Sequence, residues 1–432
     1  MALRNPWAFV AIFIALYCIS FVDRIIPALL VDEMGASLGI ADSQIGALYG
    51  LGFGILYALV GLPIAILIDR GNRMRIVCAG VILWSACTIG SGFADTIGHL
   101  ILLRSGVAIG EAVLSPAVMS IIGDMFAPRD RSLPTSLYTS IGIVMGTGGY
   151  FLGGGAYDLA TALTAGSTFE PWRATFVVVG IPGILIALFL MLTTSEPART
   201  VTPERHEASG GLWDYLKGDG RFFVALFLGM SFVTLCTHGF VAWMPTFLVR
   251  GYGLTSAEAG YFLGIAGATG GIAGTLLVIA SETAAARRQS VDMKPHILLG
   301  GAAAGLAAII FAVSANSAIL AITGYGLMSC AAGGALALVP PLMIQKVGPA
   351  HMRARLMAAT LLSSTLVGLG IGPTLVPLLA EIYFSGPFAI GSAILVNTIA
   401  FGALGLIAFA VARNGYMNRA IPAELDAAAG MA

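Results

Sequence analysis

Apolar residues run along this chain in long blocks separated by short polar connectors. Each block holds about twenty residues or more, the length an α-helix needs to cross the hydrocarbon layer of a bilayer. Twelve can be placed, at 7–31, 43–68, 74–94, 99–122, 133–157, 171–193, 221–248, 256–280, 295–314, 317–340, 355–381 and 387–411. The pattern predicts an all-α integral membrane protein with twelve transmembrane helices. Its longest polar stretch, Ser195 to Gly220, separates six blocks from six. That predicts an N-terminal bundle (1–194), a linker (195–220) and a C-terminal bundle (221–432). Within the linker, Leu212-Trp-Asp-Tyr-Leu-Lys217 reads equally well as a short helix on the membrane surface or as a turn. The first block is too long for the apolar core of a signal peptide and lacks a cleavage site, so a retained helix is expected.

Composition agrees: 58% of residues are apolar, only 10% are charged and the mean hydropathy is +0.92. A soluble domain would carry about 25% charged residues. Net charge is zero and no basic face stands out, which sets nucleic acid aside as a partner. Five scattered cysteines (Cys18, Cys78, Cys87, Cys236, Cys330) lack metal-like spacing. No nucleophile–base pair is visible, so neither an enzyme nor a bound cofactor is expected.

The few charges are informative by position. Of 22 Lys and Arg, 18 fall on one side of the predicted helices: Arg4, Arg70, Arg73, Arg75, Arg129, Arg131, Arg199, Arg205, Lys217, Arg221, Arg287, Arg288, Lys294, Lys346, Arg353, Arg355, Arg413 and Arg419. The positive-inside rule then predicts cytoplasmic termini, in the inner membrane of a cell. The opposite side is acidic or neutral, with Asp32, Glu33, Asp42, Asp95, Asp158, Glu170, Glu258 and Glu381.

Inside the blocks, Asp23 and Arg24 interrupt an otherwise lipid-soluble first helix, and Arg104 and Glu111 interrupt the fourth. A charge near the bilayer centre costs roughly 2.5–3.5 kcal/mol or more, so it is kept where it meets a partner or a wet cavity. Arg104 and Glu111 lie seven residues apart, two turns, and share a helix face. All four charges fall at similar depth and can meet. Two readings stand: a static ion cluster that fixes packing, or a titrating one. In the second, Asp23 or Glu111 takes up a proton and releases Arg24 or Arg104, while arginine itself stays charged.

Other candidates carry less chemistry. Gly106 and Gly110 permit close helix approach, as do the small residues of Gly142-Ile-Val-Met-Gly146-Thr-Gly-Gly149-Tyr-Phe-Leu-Gly153. His238 in the seventh helix is either a titrating or head-group-binding residue, or a hydrogen-bonded interior one. Tyr49 and Tyr57, two turns apart, either line a cavity or pack. A faint repeat pairs Gly46 with Gly260, an offset of 260 − 46 = 214, and the loop Ala127-Pro-Arg-Asp-Arg131 echoes Gly348-Pro-Ala-His-Met-Arg353.

Two six-helix halves of this kind resemble the major facilitator architecture, with its central binding cavity and pseudo-twofold symmetry. The run Asp69-Arg70-Gly71-Asn72-Arg73-Met74-Arg75 resembles that superfamily's loop between helices two and three, and implies a cytoplasmic gate of Asp69, Arg70, Arg73 and Arg75. Ala65 and Asn72 stand where glycine is usual. The second-half counterpart, Ser281 to Arg288, lacks Asp-Arg, so asymmetric gating is expected. More narrowly, Phe21-Val-Asp23-Arg24, Ile40-Ala-Asp-Ser-Gln-Ile-Gly46, Asp69-Arg70-Gly-Asn72-Arg73, Gly106-Val-Ala-Ile-Gly-Glu111 and Gly146-Thr-Gly-Gly149-Tyr150 resemble the Spinster group of lysolipid and sphingosine-1-phosphate transporters. The resemblance covers most of the first half. Trp243-Met-Pro-Thr-Phe-Leu-Val-Arg250 also resembles organic-anion symporters.

This likeness implies alternating access in a monomer. It implies Asp23 as the leading proton-coupling residue, Arg24 and Glu111 as switching partners, and Arg104 as a supporting charge beside the substrate head group. The implied partners are protons, membrane lipids and an amphipathic lipid, or in the alternative a small organic anion. A sensor or scaffold would require a soluble module for which 432 residues leave no room.

Overall fold

A computed structural model of the chain describes residues 5–199, 212–287, 292–349 and 352–429. Arg4, Arg205, Arg288, residues 350–351 of the loop echo and the middle of the expected linker lie outside the described residues. The spanning helices are α1 (Pro6–Leu29), α2 (42–70), α3 (Arg73–Ser91), α4 (Ile97–Met125), α5 (132–163), α6 (Pro171–Thr193), α7 (Arg221–Tyr252), α8 (Ser256–Arg287), α9 (Lys294–Val313), α10 (Ala318–Val347), α11 (Arg353–Tyr383) and α12 (Ala389–Ala429). Eleven contain an apolar segment long enough to cross a bilayer. The twelfth, α5, is two helices, Ser132–Gly148 and Tyr150–Leu163, meeting at Gly149 rather than the continuous block expected. The break falls in a run of glycines, the weakest helix formers after proline. A Cβ at Gly148 would lie 2.7 Å from that of Ala268 on α8, so the two helices approach there as far as backbone allows.

The two halves repeat each other in detail. Gly39 and Gly253, again 214 apart (253 − 39), both turn the chain with positive φ, 63° and 71°. Five residues on, each next helix is capped from within. Gln44 Oε1 accepts from the Ala41 N–H at 2.9 Å, and Glu258 Oε2 accepts from the Thr255 N–H at 2.9 Å. The paired glycines Gly46 and Gly260 are the crossing points of α2 with α11 and of α8 with α5. A Cβ at Gly46 would sit 2.7 Å from the Pro373 carbonyl, and one at Gly260 would sit 2.9 Å from the Tyr150 carbonyl. The loop echo is structural too: Arg131 Nε donates to the Phe126 carbonyl and Arg353 Nε to the Gly348 carbonyl, each reaching five residues back.

Among the described residues, the hydrogen bonds and ion pairs between the halves lie at the acidic face and just below it. At the acidic face Arg250 of α7 bridges Asp32 and Asp42 of the first half, both at 2.6 Å. Ser256 Oγ donates to Glu33, the Ser43 N–H to Glu381 and the Tyr261 hydroxyl to Asp158. Deeper, Tyr150 donates to the Val241 carbonyl, Tyr325 to that of Thr147 and Thr374 to that of Gly46. These bonds close the acidic face. At the arginine-rich face the halves diverge around a cavity of about 620 Å³. Of the two readings of Leu212 to Lys217, the helix forms, over Leu212–Asp219, and the Arg419 guanidinium lies by its Tyr215 hydroxyl.

Candidate functional site

Asp23 and Arg24 project from α1 to different partners. Arg104 Nη1 of α4 donates to Asp23 Oδ1 at 2.9 Å, and the Thr88 hydroxyl of α3 lies 2.9 Å from both Asp23 Oδ2 and the Trp84 carbonyl, with one hydrogen shared between them. Arg24 Nε donates to Glu111 Oε2 at 2.5 Å. Asp23, Arg104 and Glu111 are each about 1% exposed. The structure therefore brings the four sequence-selected charges together as two parallel ion pairs. Such pairs need extra hydrogen bonds and good geometry to offset desolvation.

Prolines shape the site in a way the sequence reading missed. Pro27 lacks an N–H, so the Asp23 carbonyl four residues back has no helical donor. Arg104 Nη2 takes that place, donating to the Asp23 carbonyl at 3.2 Å. One guanidinium thus satisfies both the side chain and the main chain of Asp23. Pro116 likewise removes the donor for the Ala112 carbonyl, and α4 breaks there: one segment ends at Glu111 and the next begins at Leu114. The signal was legible as a proline four residues after Asp23 and five after Glu111.

Aromatic rings and glycines hold the geometry. The Arg24 guanidinium lies 5.2, 5.4 and 4.8 Å from the rings of Phe21, Phe53 and Tyr57, and that of Arg104 lies 5.7 Å from Phe53. Gly106 and Gly110 bring α4 onto α3, since a Cβ would meet Cys87 Sγ at 2.4 Å and the Gly80 carbonyl at 2.6 Å. Glu111 Oε1 is buried with no hydrogen-bond partner. That leaves one carboxylate oxygen of the quartet unused.

The cavity borders both halves, with Tyr17, Gly142 and Thr147 on one wall and His238, Met328 and Pro340 on the other. Several expectations change here. Arg104 is sealed against Asp23 and does not border the cavity, so it offers no contact to a head group in this conformation. Tyr49 and Tyr57 do not line it either: Tyr57 faces Arg24, and Tyr49 packs into the core below the acidic face. His238 does line it.

The expected gate divides. Arg73 is buried and bound within its own half: Nε to Glu196 at 2.6 Å, Nη1 to Ser120 and Asp124, Nη2 to the Pro197 carbonyl. It staples the ends of α3, α4 and α6 rather than facing the other half. Arg199 caps the end of α2, donating to the carbonyls of Ile68, Asp69 and Gly71. Asp69, Arg70 and Arg75 are exposed at the open face. The second half has its own staple. Asp292 accepts from Lys346 at 2.7 Å and from the Tyr416 hydroxyl at 2.6 Å, and Lys294 joins Asp292 to Glu282. Burial alone would raise the Asp292 carboxyl, but these donors outweigh it and hold it down at about 2.

Two six-helix halves that share a cavity, sealed at one face and open at the other, are the architecture of membrane transporters. A family model described as Major Facilitator Superfamily matches residues 8–373. An MFS-type efflux pump of Mycolicibacterium smegmatis is 31% identical over 279 residues, 64% of this chain and 62% of that protein. Protein spinster homolog 1 of Rattus norvegicus is 31% identical over 242 residues, 54% of this chain and 44% of that one. A probable L-galactonate transporter of Escherichia coli is 25% identical over 261 residues, covering 57% and 55%. The chain thus aligns with 44–62% of the length of these relatives. A crystal structure of a bacterial homolog to the human lysosomal transporter Spinster, inward-facing and unoccupied, superposes with a TM-score of 0.80 at 26% identity, over 96% of this chain and 98% of that one. The chain belongs to the major facilitator superfamily, and it is similar in sequence and fold to proteins of Spinster type.

Proposed function

We propose that this protein is a proton-coupled secondary transporter of lysolipids or sphingosine-like amphipathic lipids, working by alternating access in the direction of export. The observation that carries the reading is Glu111: a buried carboxylate, ion-paired to Arg24 through one oxygen, with its other oxygen unpartnered. Asp23 has both oxygens and its carbonyl engaged. Of the two acids, Glu111 can accept a proton without displacing a bond, which moves the leading role from Asp23 to Glu111. Protonation removes the charge that holds Arg24 and leaves its guanidinium among three aromatic rings. That weakens the tie between α1 and α4 and biases the halves toward the other conformation.

In this reading residues 1–194 and 221–432 rock as two bodies joined by 195–220. The arginine-rich face is cytoplasmic, the membrane is the inner membrane, and the unit is a monomer. Asp69, Arg70 and Arg75 close the cytoplasmic side when it shuts. A largely apolar cavity without Lys or Arg among the described residues of its wall favours a lipid over the sugar-acid alternative, which the similarity to the L-galactonate transporter brings forward. The efflux-pump relative favours export.

The test is flux in proteoliposomes under an imposed pH gradient, with a lysophospholipid, sphingosine and galactonate as cargo. Gradient-dependent lipid flux that is lost in Glu111→Gln and partly kept in Asp23→Asn is expected. Galactonate flux alone would replace the lipid reading, and unchanged coupling in Glu111→Gln would end the proposed role of that residue.

A further inference from the structure

The cavity wall has a chemical sign that its charge does not show. Every serine and threonine on it already spends its hydroxyl hydrogen on a backbone carbonyl. Thr139 donates to Thr135, Thr147 to Gly267, Thr237 to Thr234, Thr360 to Leu356 and Ser364 to Leu361, at 2.8–3.2 Å. A hydroxyl so committed faces its surroundings with lone pairs only. His238 follows the same rule. Its Nδ1 lies 2.9 Å from the Thr234 carbonyl, which can only accept, so Nδ1 carries the hydrogen. The neutral ring then presents Nε2 as an acceptor. Nε2 has no partner among the described residues and is not among the enclosed unpartnered atoms, so it opens to the cavity that His238 borders. Among the described residues neither Lys nor Arg contributes to the wall, and Arg24 and Arg104 are ion-paired to Glu111 and Asp23. The remaining donor is the Tyr17 hydroxyl. The rest of the wall is apolar, with Met230, Met328 and Met357 able to adapt to an alkyl chain.

We infer that this cavity selects an amphiphile whose head group donates hydrogen bonds and carries no negative charge, a long-chain primary amine being the best chemical match, with its head at His238 Nε2 and its chain along the methionines. An ammonium brings three donors and no acceptor, whereas a carboxylate brings acceptors that would meet only acceptors. The inference rests on the reading of this cavity as the transport site and narrows its substrate class to sphingosine-like amines, setting aside the lysolipids that carry a phosphate. It requires no proton coupling.

The experiment is equilibrium binding of radiolabelled dodecylamine to the purified protein in nanodiscs, corrected for empty nanodiscs, with dodecanoate as the competing probe. Dodecylamine should bind at least about tenfold more tightly than dodecanoate. His238→Phe should weaken it about tenfold, the scale of one hydrogen bond to a charged group, while His238→Gln, which keeps an acceptor at similar reach, should stay within about threefold. The preference in the unaltered protein is itself decisive, so the inference does not depend on either variant folding. Equal or tighter binding of dodecanoate would overturn it while leaving the cavity as a transport site. An amine preference unmoved in a folded His238→Phe protein would overturn the placement of the head group. Saturable binding of neither probe would remove the cavity reading and the inference together.

Discussion

The two halves share a fold and differ in what they bury. In the first, α1 and α4 carry Asp23, Arg24, Arg104 and Glu111 as two ion pairs closed within that half. The 214-residue offset shared by Gly39 and Gly253 places Thr237 and His238 of α7 where Asp23 and Arg24 stand. The helices α4 and α10 begin at equivalent caps, Thr96 and Ser317, an offset of 317 − 96 = 221, which places Tyr325 where Arg104 stands and Ala332 where Glu111 stands. Among the described residues the second half therefore has no internal ion pair at this level. Its Tyr325 bonds across to the Thr147 carbonyl of the other half, and its His238 faces the cavity. The repeated scaffold carries a buried charge cluster in one copy, and in the other a cavity wall and a bond across to the first half.

That contrast can be broken at its strongest point first. Arg104→Ala should strip Asp23 of both a carboxylate partner and a carbonyl donor, costing about 3–5 kcal/mol as for other buried pairs that lose one member. Thermal unfolding in detergent should record it, and Asp23→Asn on the same background should recover much of the loss. A near-neutral Arg104→Ala would mean that the pair does not hold the first half together. Next, Thr237→Asp places a carboxylate in the second half at the position of Asp23, where Tyr325 rather than an arginine waits. Its expected cost is about 2.5–3.5 kcal/mol, the price of an unpaired intramembrane charge. If it were tolerated, water or a rearranged His238 would be serving the second half as Arg104 serves the first.

Smaller effects sharpen the comparison. Pro27→Ala gives the Asp23 carbonyl a helical donor and releases Arg104 Nη2 from it, and a change of about 1 kcal/mol in stability is expected. The diagnostic readout is the cycle with Arg104→Ala: the two changes should be non-additive, and strict additivity would separate the proline from the ion pair. Smallest is Asp292→Asn in the second-half staple, worth roughly 1 kcal/mol or less because its lysines are partly exposed. Asp292 titrates at about 2 in the folded protein, below its ordinary 3.8, so its contribution is fully present above about pH 4 and fades as pH falls toward 2. Melting temperatures of the variant and the parent should differ at neutral pH and converge in acid. A constant gap across that range would put the effect elsewhere.

Much of the molecule was legible in the chain. Twelve apolar blocks fix twelve helices because no other regular structure satisfies backbone polar groups in lipid except a closed barrel. The four interior charges stood out for the same reason: each is too costly to bury alone. The repeat was visible as two glycines, and the structure explains why those two. Gly46 and Gly260 are where a helix of one half touches backbone of the other, and a side chain would hold the halves apart.

Pairing was not legible. The sequence reading joined Asp23 to Arg24 and Glu111, whereas neighbours on one helix point to different sides, and the crossing of α4 on α3 at Gly106 and Gly110 sends Arg104 to Asp23. Arg73 read as a gate because its partners Asp124 and Glu196 lie 51 and 123 residues away. The acceptor character of the cavity could not be read at all. It depends on where each hydroxyl hydrogen goes, and that is set by backbone geometry one turn earlier or across a helix contact. The sequence by itself determined the helices, their number and which residues could not be left alone in lipid, because those follow from local transfer free energy. Only the tertiary structure decided which charge meets which, which face is shut and what the cavity offers a ligand, because those depend on contacts between helices whose register no local pattern encodes.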